Sequence, residues 1–218
     1  MDPKLQQAID DPIIRMVNKE TDGKEELSPM SPPSVFSLPS RDGVSKQEMH
    51  PYLQKLMDEH DVLVEQLSIF EGVLEKIPQE GITKDVDNKL REFFRFFDEE
   101  FMTHQRKEEK ELFPILSLKL PKVETHIGDS HACTPVEIME ADHIKILQLA
   151  AVVFNFFGLC SRMPDPKSRL LILDAAIAQG KSFIELLRLH MFREDQVVFA
   201  LAHKHIEKDL FDQMKTNP

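Results

Sequence analysis

The chain has 218 residues, 41% of them hydrophobic, and a formal net charge of −11, so we expect one domain with an extension and no nucleic-acid partner. No apolar run approaches the roughly twenty residues that span a bilayer, and the start of the chain lacks a continuous apolar signal segment. The two cysteines, Cys133 and Cys160, are too few for a disulfide framework. We therefore expect a soluble, cytoplasmic protein without a membrane partner.

The first predicted segment is an arm over residues 1–45. Its second half, LSPMSPPSVFSLPS, places four prolines among serines, and proline removes backbone donors and favours extended conformations. Two interpretations stay open. The arm is a disordered leader, or Val35, Phe36 and Leu38 anchor it against the rest of the chain.

A first long helix is predicted over about residues 45–77, because apolar residues there recur at the i, i+3, i+4 and i+7 positions of one helix face. His60 lies within this apolar stripe. Pro78 and Gly81 should end the helix, and Thr83 is a suitable N-cap for the next one.

The second predicted helix carries a histidine and a glutamate four residues apart, His104 and Glu108. On an α-helix this spacing places both side chains on one face, as in a pair of metal ligands. Five phenylalanines precede the pair and would seal a site or form ordinary core: Phe93, Phe94, Phe96, Phe97 and Phe101. Pro114 is expected to kink or end this helix.

Residues 117–135 form a longer connection than is typical between bundle helices. His126, His131 and Cys133 lie together in it, and such a trio can bind zinc, but no fourth ligand is evident. A lid over one end of the bundle is the alternative for this segment.

Thr134-Pro135 with Glu137 predicts the start of a third helix, which carries His143 inward and ends at about Cys160. Asp165-Pro166 begins a fourth helix of about forty residues, in which glycine at position 180 is a tolerated weakness. His203, His205 and residues 206–218, the C-terminal tail, are expected to be solvated surface.

The third and fourth helices repeat the first two. His190 and Glu194 restate the His104–Glu108 spacing 86 residues later, and His143 follows His60 by 83 residues. The chain is therefore predicted to use one helical hairpin twice. Four histidines and two carboxylates from four helices indicate a dinuclear metal site inside a bundle, and imidazole ligands suit iron, zinc or copper, with iron preferred.

These motifs resemble the hemerythrin-like, or HHE cation-binding, family. The resemblance rests on DEH at 58–60, HQRKEEKELFP from 104, DH at 142–143 and HMFRED from 190, and it covers residues 46–205. It implies an all-α, up-down-up-down four-helix bundle with an oxo- or hydroxo-bridged centre of two iron ions. It also implies the ligand roles: His60 and His104 on one iron, His143 and His190 on the other, and Glu108 and Glu194 as bridges.

One position departs from the oxygen-carrying members, which have a further histidine one turn after the third ligand. That position here is Leu147, which argues against simple oxygen carriage. Glu111 is a possible additional ligand, since 104, 108 and 111 fall on one helical stripe. A solvated glutamate is the alternative, and the repeat has Val197 at the matching position.

Several functions remain compatible with the sequence. The favoured one is a redox-active or sensing di-iron protein that binds a small diatomic ligand such as dioxygen or nitric oxide. The alternatives are an iron-centre repair protein or iron donor, a redox enzyme acting on peroxide or nitric oxide, and an inert bundle with a vestigial or zinc site. Manganese is a less favoured metal, as zinc is. The sequence leaves open whether the protein is an enzyme.

Overall fold

A computed structural model describes residues 44–120 and 134–214. These residues form helices and contain no strand, and a short 3-10 helix, Lys46–Glu48, precedes the first long helix. The helices are α1 (Pro51–Glu80), α2 (residues 84–119), α3 (Pro135–Cys160), α4 (residues 166–205) and α5 (Lys208–Met214). The first four form a four-helix bundle, so the all-α prediction is confirmed. Most of the predicted arm and the whole candidate trio His126, His131 and Cys133 lie outside the described residues.

Two of the long helices contain short π-helical segments. Helix α2 consists of Lys84–Phe96, the π-segment Phe97–Phe101, Met102–Lys107, the π-segment Glu108–Leu112 and Phe113–Lys119. Helix α4 consists of Pro166–Arg193, the π-segment Glu194–Val198 and Phe199–His205. Both halves of the repeat thus begin a π-segment at the same matched position, a glutamate. Such segments occur frequently at functional sites.

Helix α1 begins later and ends later than the sequence suggested. His50 precedes a proline, which disfavours helical backbone at that residue, so the helix starts at Pro51. Before it, Ser45 and Glu48 form a capping box of their own. At the other end Pro78 removes only one amide donor, and the helix continues to Gly81, whose φ of 71° suits glycine alone.

The other helix ends follow from their capping residues. Thr134 and Glu137 form the capping box that begins α3, and the Asp165 side chain accepts a hydrogen bond from the Ser168 amide at the start of α4. The expectation that α2 kinks or ends at Pro114 is wrong. Pro114 lies in the first turn of the segment Phe113–Lys119, directly after a π-segment, where a missing amide donor costs least.

One layer of the core is purely apolar. Phe70 stacks on Phe93 with ring centroids 4.2 Å apart, and Phe183 meets Phe70 edge-on at 6.3 Å. A Cβ at Gly180 would lie only 2.8 Å from Leu74 Cδ1. Glycine at this position is therefore a close-packing requirement between α4 and α1 and not merely a weakness of the helix.

Helix α3 corrects one expectation about membranes. With a mean hydropathy of 1.6 it is long and apolar enough, by length and composition, to cross a bilayer, whereas no such stretch was expected. Core helices of soluble proteins pass the same test. The buried face of α3 includes Asp142 and His143 and packs against α4.

The C-terminal segment packs against the start of α1. Phe211 of α5 is 1% exposed and stacks on the His50 ring at 4.8 Å, and Met214 is also buried. The expectation of a solvated tail is therefore wrong for these two residues. The apolar positions of this short helix are too closely spaced in sequence for a reliable helical pattern to be seen.

Candidate metal centre

A polar cluster lies at the middle of the bundle, and all four long helices contribute to it. It contains all six predicted ligands, which are buried: His60, His104, Glu108, His143, His190 and Glu194. The structure groups them into two overlapping sets of four ligand atoms, and within each set the atoms lie within 4.8 Å of one another. One set has His60 and His104, the other has His143 and His190, and both glutamates belong to both sets.

Each glutamate contacts one histidine of each set, at carboxylate oxygen to Nε2 distances of 3.2 to 3.5 Å. The contacts are Glu108 with His104 (3.4 Å) and His143 (3.5 Å), and Glu194 with His60 (3.3 Å) and His190 (3.2 Å). Both carboxylates are 0% exposed, yet none of their four oxygens has a hydrogen-bond partner among the described residues. Buried carboxylates without partners are costly, and a cation would satisfy them.

The histidine Nε2 atoms point at each other within each set. The Nε2 atoms of His60 and His104 are 3.0 Å apart, and those of His143 and His190 are 3.1 Å apart. Two imidazoles that both carry their proton on Nδ1 present two facing lone pairs and no donor. A cation between them would bind both, so the donor set fits metal ions.

Three of the four histidines donate their Nδ1 proton to an outer carboxylate. The contacts are His60 with Asp195 (2.9 Å), His104 with Glu59 (2.8 Å) and His143 with Glu109 (3.0 Å). Such contacts fix the imidazole tautomer and orientation and make Nε2 a stronger metal ligand. His190 differs, because its buried Nδ1 has no partner among the described residues.

Several of these contacts join the two halves of the repeat. The acid after each bridging glutamate, Glu109 or Asp195, reaches the first histidine of the other half. The phenylalanine five residues after each bridging glutamate does the same: Phe113 stacks on His143 and Phe199 on His60, each at 5.6 Å. Neither half can therefore complete the site alone.

The predicted aromatic seal is only partly where the sequence suggested. Of the five phenylalanines before His104, Phe101 stacks on the His104 ring at 6.3 Å. Phe93, Phe94 and Phe97 belong to the apolar core. The rings that cover the other histidines come after the ligand pairs, and the match between the two repeats could have indicated them.

The buried charges shift the pKa values of the cluster. Burial lowers the pKa of His60, but its contacts with Asp195 and Glu194 outweigh burial and raise it to about 10. His104 rises to about 9, because Glu108 and Glu59 outweigh its burial. Burial and the charge of Glu108 raise the pKa of Glu194 to about 7. Protons therefore occupy part of this cluster when no cation is bound, and a cation must displace them.

The possible seventh ligand, Glu111, lies apart from the cluster. It is half-buried and accepts a hydrogen bond from the Tyr52 hydroxyl at 3.0 Å. The prediction assumed α-helical spacing, but Glu111 lies within the π-segment Glu108–Leu112, whose wider turn removes it from the ligand stripe. Leu147 is half-buried beside the apolar core and adds no donor atom.

A small cavity of about 110 Å³ adjoins one side of the cluster, between α1 and α2. His60 and His104 form part of its lining, and Lys107 and Glu59, whose Nζ and Oε1 atoms lie 2.6 Å apart, stand beside them. Its other walls are largely apolar, with Val62, Leu63, Phe96 and Phe101.

Residues 52–202 match a family model described as the hemerythrin HHE cation binding domain. This span includes all six clustered residues and covers more than half of the chain. Comparisons with curated proteins and with solved structures found no match.

Proposed function

Because this chain belongs to the hemerythrin HHE cation-binding family, we propose that it is a non-haem di-iron protein that binds a small diatomic ligand. In this proposal His60 and His104 hold one ion, and His143 and His190 hold the other. Glu108 and Glu194 bridge the two ions. The proposed role is redox chemistry or sensing.

The observation that carries the proposal is the pair of buried glutamates with four unpartnered oxygens. Each carboxylate lies between a histidine of one set and a histidine of the other, which is the placement that a bridging ligand needs. A single cation would leave two histidines without a partner, whereas two cations use every donor. The mixture of imidazole and carboxylate ligands suits iron.

The protein side chains would orient, enclose and charge-balance the ions. Asp195, Glu59 and Glu109 hold three imidazoles with Nε2 facing the centre. Phe113 and Phe199 stack on two of those imidazoles and exclude water. Bound iron would supply one-electron redox chemistry and coordination positions open to a small ligand.

The size of the cavity beside His60 and His104 supports a small ligand. A volume of about 110 Å³ accepts a diatomic molecule with little space to spare. The apolar walls suit an uncharged molecule such as dioxygen or nitric oxide, and the Lys107–Glu59 pair stands beside the ligand histidines. We propose that ligands reach the His60 and His104 position through this cavity.

We also propose a cytoplasmic protein without a nucleic-acid or membrane partner. The net charge of −11 disfavours binding to phosphate backbones. Cys160 is buried as a free thiol, which is compatible with a reducing compartment.

Metal content and an optical spectrum test the proposal most directly. Protein made in iron-replete cells should contain about two irons per chain, and its spectrum should change when the reduced protein meets dioxygen or nitric oxide. A single zinc, with no iron even after anaerobic reconstitution, would overturn the assignment and favour an inert bundle.

The bridging roles have their own comparison of variants. Glu108→Ala or Glu194→Ala should remove both irons, because a bridge serves both, whereas His60→Ala should retain one. Glu111→Ala is the matched control: this glutamate lies three residues from Glu108 and contacts Tyr52, so the variant should keep both irons. Loss of both irons from His60→Ala with retention of both in Glu108→Ala would contradict the assigned roles.

A further inference from the structure

The two halves of the centre differ at one hydrogen bond. In the first half, Nδ1 of His104 donates to Glu59 at 2.8 Å, and the other oxygen of Glu59 accepts from Lys107 at 2.6 Å. At the matching place in the second half, Nδ1 of His190 is buried and has no hydrogen-bond partner in the part of the chain that the structure describes. The donor that orients a ligand in one half is therefore unused in the other.

The cause is a change of side-chain length at one repeat position. Asp142 occupies the place of Glu59, and Arg193 occupies that of Lys107. Asp142 is 3% exposed, and its Oδ2 accepts from Arg193 Nη1 at 2.8 Å. With one methylene fewer than Glu59, the Asp142 carboxylate pairs with the guanidinium and forms no hydrogen bond with the imidazole of His190.

The missing contact bears on metal affinity. A carboxylate on the outer nitrogen fixes the ring of a ligating histidine and strengthens its inner nitrogen, and loss of such a partner typically costs about 10-fold to 100-fold in metal affinity. At the His60 and His104 position both imidazoles have this support. At the other position only His143 has it, from Glu109.

We propose that the two metal positions are unequal, with the ion of His143 and His190 bound about 10-fold to 100-fold more weakly and lost first. Glu59 and Asp142 are the positioning residues that set this difference. The inference rests on the proposed two-metal centre and adds an order of filling: the His60 and His104 position beside the cavity fills first and empties last.

Stepwise metal competition tests this order without any measurement of activity. The full chain is loaded anaerobically with Co²⁺, and a chelator of known affinity is titrated in while the visible spectrum and the metal-to-protein ratio are followed. We expect two separate dissociation constants, about 10-fold to 100-fold apart. Two equal constants would overturn the inequality and leave the two-metal proposal intact. Failure to bind two Co²⁺ or two Fe²⁺ ions would overturn the two-metal proposal itself.

The variant Asp142→Glu should bring the two constants together, because the longer side chain can reach His190 as Glu59 reaches His104. Glu59→Asp makes the reverse change by removing one methylene and should weaken the tighter position about 10-fold to 100-fold. This deletion adds no volume to the core, so it tests the inference even if Asp142→Glu fails to fold. Unchanged constants in Glu59→Asp would overturn the proposal.

Two further variants assign the constants and control for the substitution. His190→Ala should abolish the weaker constant and keep the tighter one, whereas His60→Ala should abolish the tighter one. Asp174→Glu adds the same methylene at an exposed position of α4 and should leave both constants unchanged. The opposite assignment from the two histidine variants would overturn the proposed order of filling.

Discussion

The same four helices form two buried layers of opposite chemistry. In the apolar layer, Phe70, Phe93 and Phe183 are in ring contact, and Gly180 admits Leu74. In the polar layer, four carboxylate oxygens lack hydrogen-bond partners. The first layer is satisfied by its own contacts, while the second requires something that the chain does not supply. The difference teaches that the fold depends on the apolar layer and that the polar layer depends on its ligand.

The most damaging change should be in the apolar layer. Phe70→Ala removes a ring that contacts Phe93, Phe94 and Phe183 and should lower the free energy of unfolding by about 3 to 5 kcal/mol. Denaturant titrations should show a similar loss with and without metal. Leu171→Ala, at a residue 71% exposed, is the control and should have little effect. A loss seen only in the metal-loaded protein would contradict the independence of the two layers.

Removal of metal should come next in size. Metal that binds only the folded chain adds about 4 kcal/mol at a thousandfold excess over its dissociation constant. The melting temperature should therefore fall on metal removal, while the helical circular dichroism signal should largely persist because the apolar layer remains. Equal melting temperatures with and without metal would show that the six side chains do not share a metal site.

The pH should change the gap between the two forms. The pKa values of His60 and His104 rise to about 10 and about 9 on folding, so in the metal-free protein their contribution to stability is complete below pH 6.5 and is lost as pH rises toward those values. The loss is up to about 1.4 kcal/mol per pH unit for each group. Metal binds the deprotonated imidazoles and gains affinity over the same range.

The difference in melting temperature between the metal-loaded and metal-free protein should therefore widen from pH 6.5 to pH 8.5. Scanning calorimetry at several pH values measures it directly. Calorimetric titration of metal in buffers of different ionisation enthalpy should also show proton release. A gap that narrows over this range would mean that these histidines are not protonated in the metal-free fold.

A ligand-layer substitution should stabilise the metal-free protein. Burial and the charge of Glu108 raise the pKa of Glu194 to about 7, which means that its ionised form is costly in the fold. Glu194→Met, of similar length, should stabilise the metal-free chain by about 1 to 3 kcal/mol while eliminating one bridge. Thermal melting without metal and metal analysis of the same sample test both effects. Destabilisation of the metal-free chain would show that this carboxylate already has adequate partners.

A smaller effect is expected at the contact between helices α4 and α1. Gly180→Ala should destabilise the protein by about 1 kcal/mol, because the clash with Leu74 outweighs the gain in helix propensity. Gly72→Ala is the matched control in helix α1, since a Cβ there meets nothing within 4 Å, and it should stabilise by about 0.5 to 1 kcal/mol. Equal responses at the two glycines would contradict close packing at position 180.

The sequence predicted the parts of this molecule that depend on regular helical spacing. His104 and Glu108 lie at an α-helical interval, and the repeat 86 residues later located His190 and Glu194. The start of α3 followed from Thr134 and its capping box. In each case a local rule of backbone geometry was sufficient.

Features that depend on packing between helices were not predictable in this way. Nothing in the pattern marks a π-segment at Glu108–Leu112, so Glu111 was placed on the wrong stripe. Glu59 and Asp142 were visible as acids beside histidines, but their roles depend on a difference of one methylene and on competition from Arg193. Such distinctions appear only when side chains from different helices are placed together.

The π-segments also affect which insertions and deletions the chain can accept. A π-turn contains one residue more than an α-turn, so loss of a single residue such as Lys110 would turn Glu108–Leu112 into regular α-helix. His104 and Glu108 precede that point and would keep their places, whereas everything after it would rotate by about 100°. Phe113 would then leave the ring of His143. In the evolution of such chains, single-residue deletions here would retain the ligands of the site and open its wall to water.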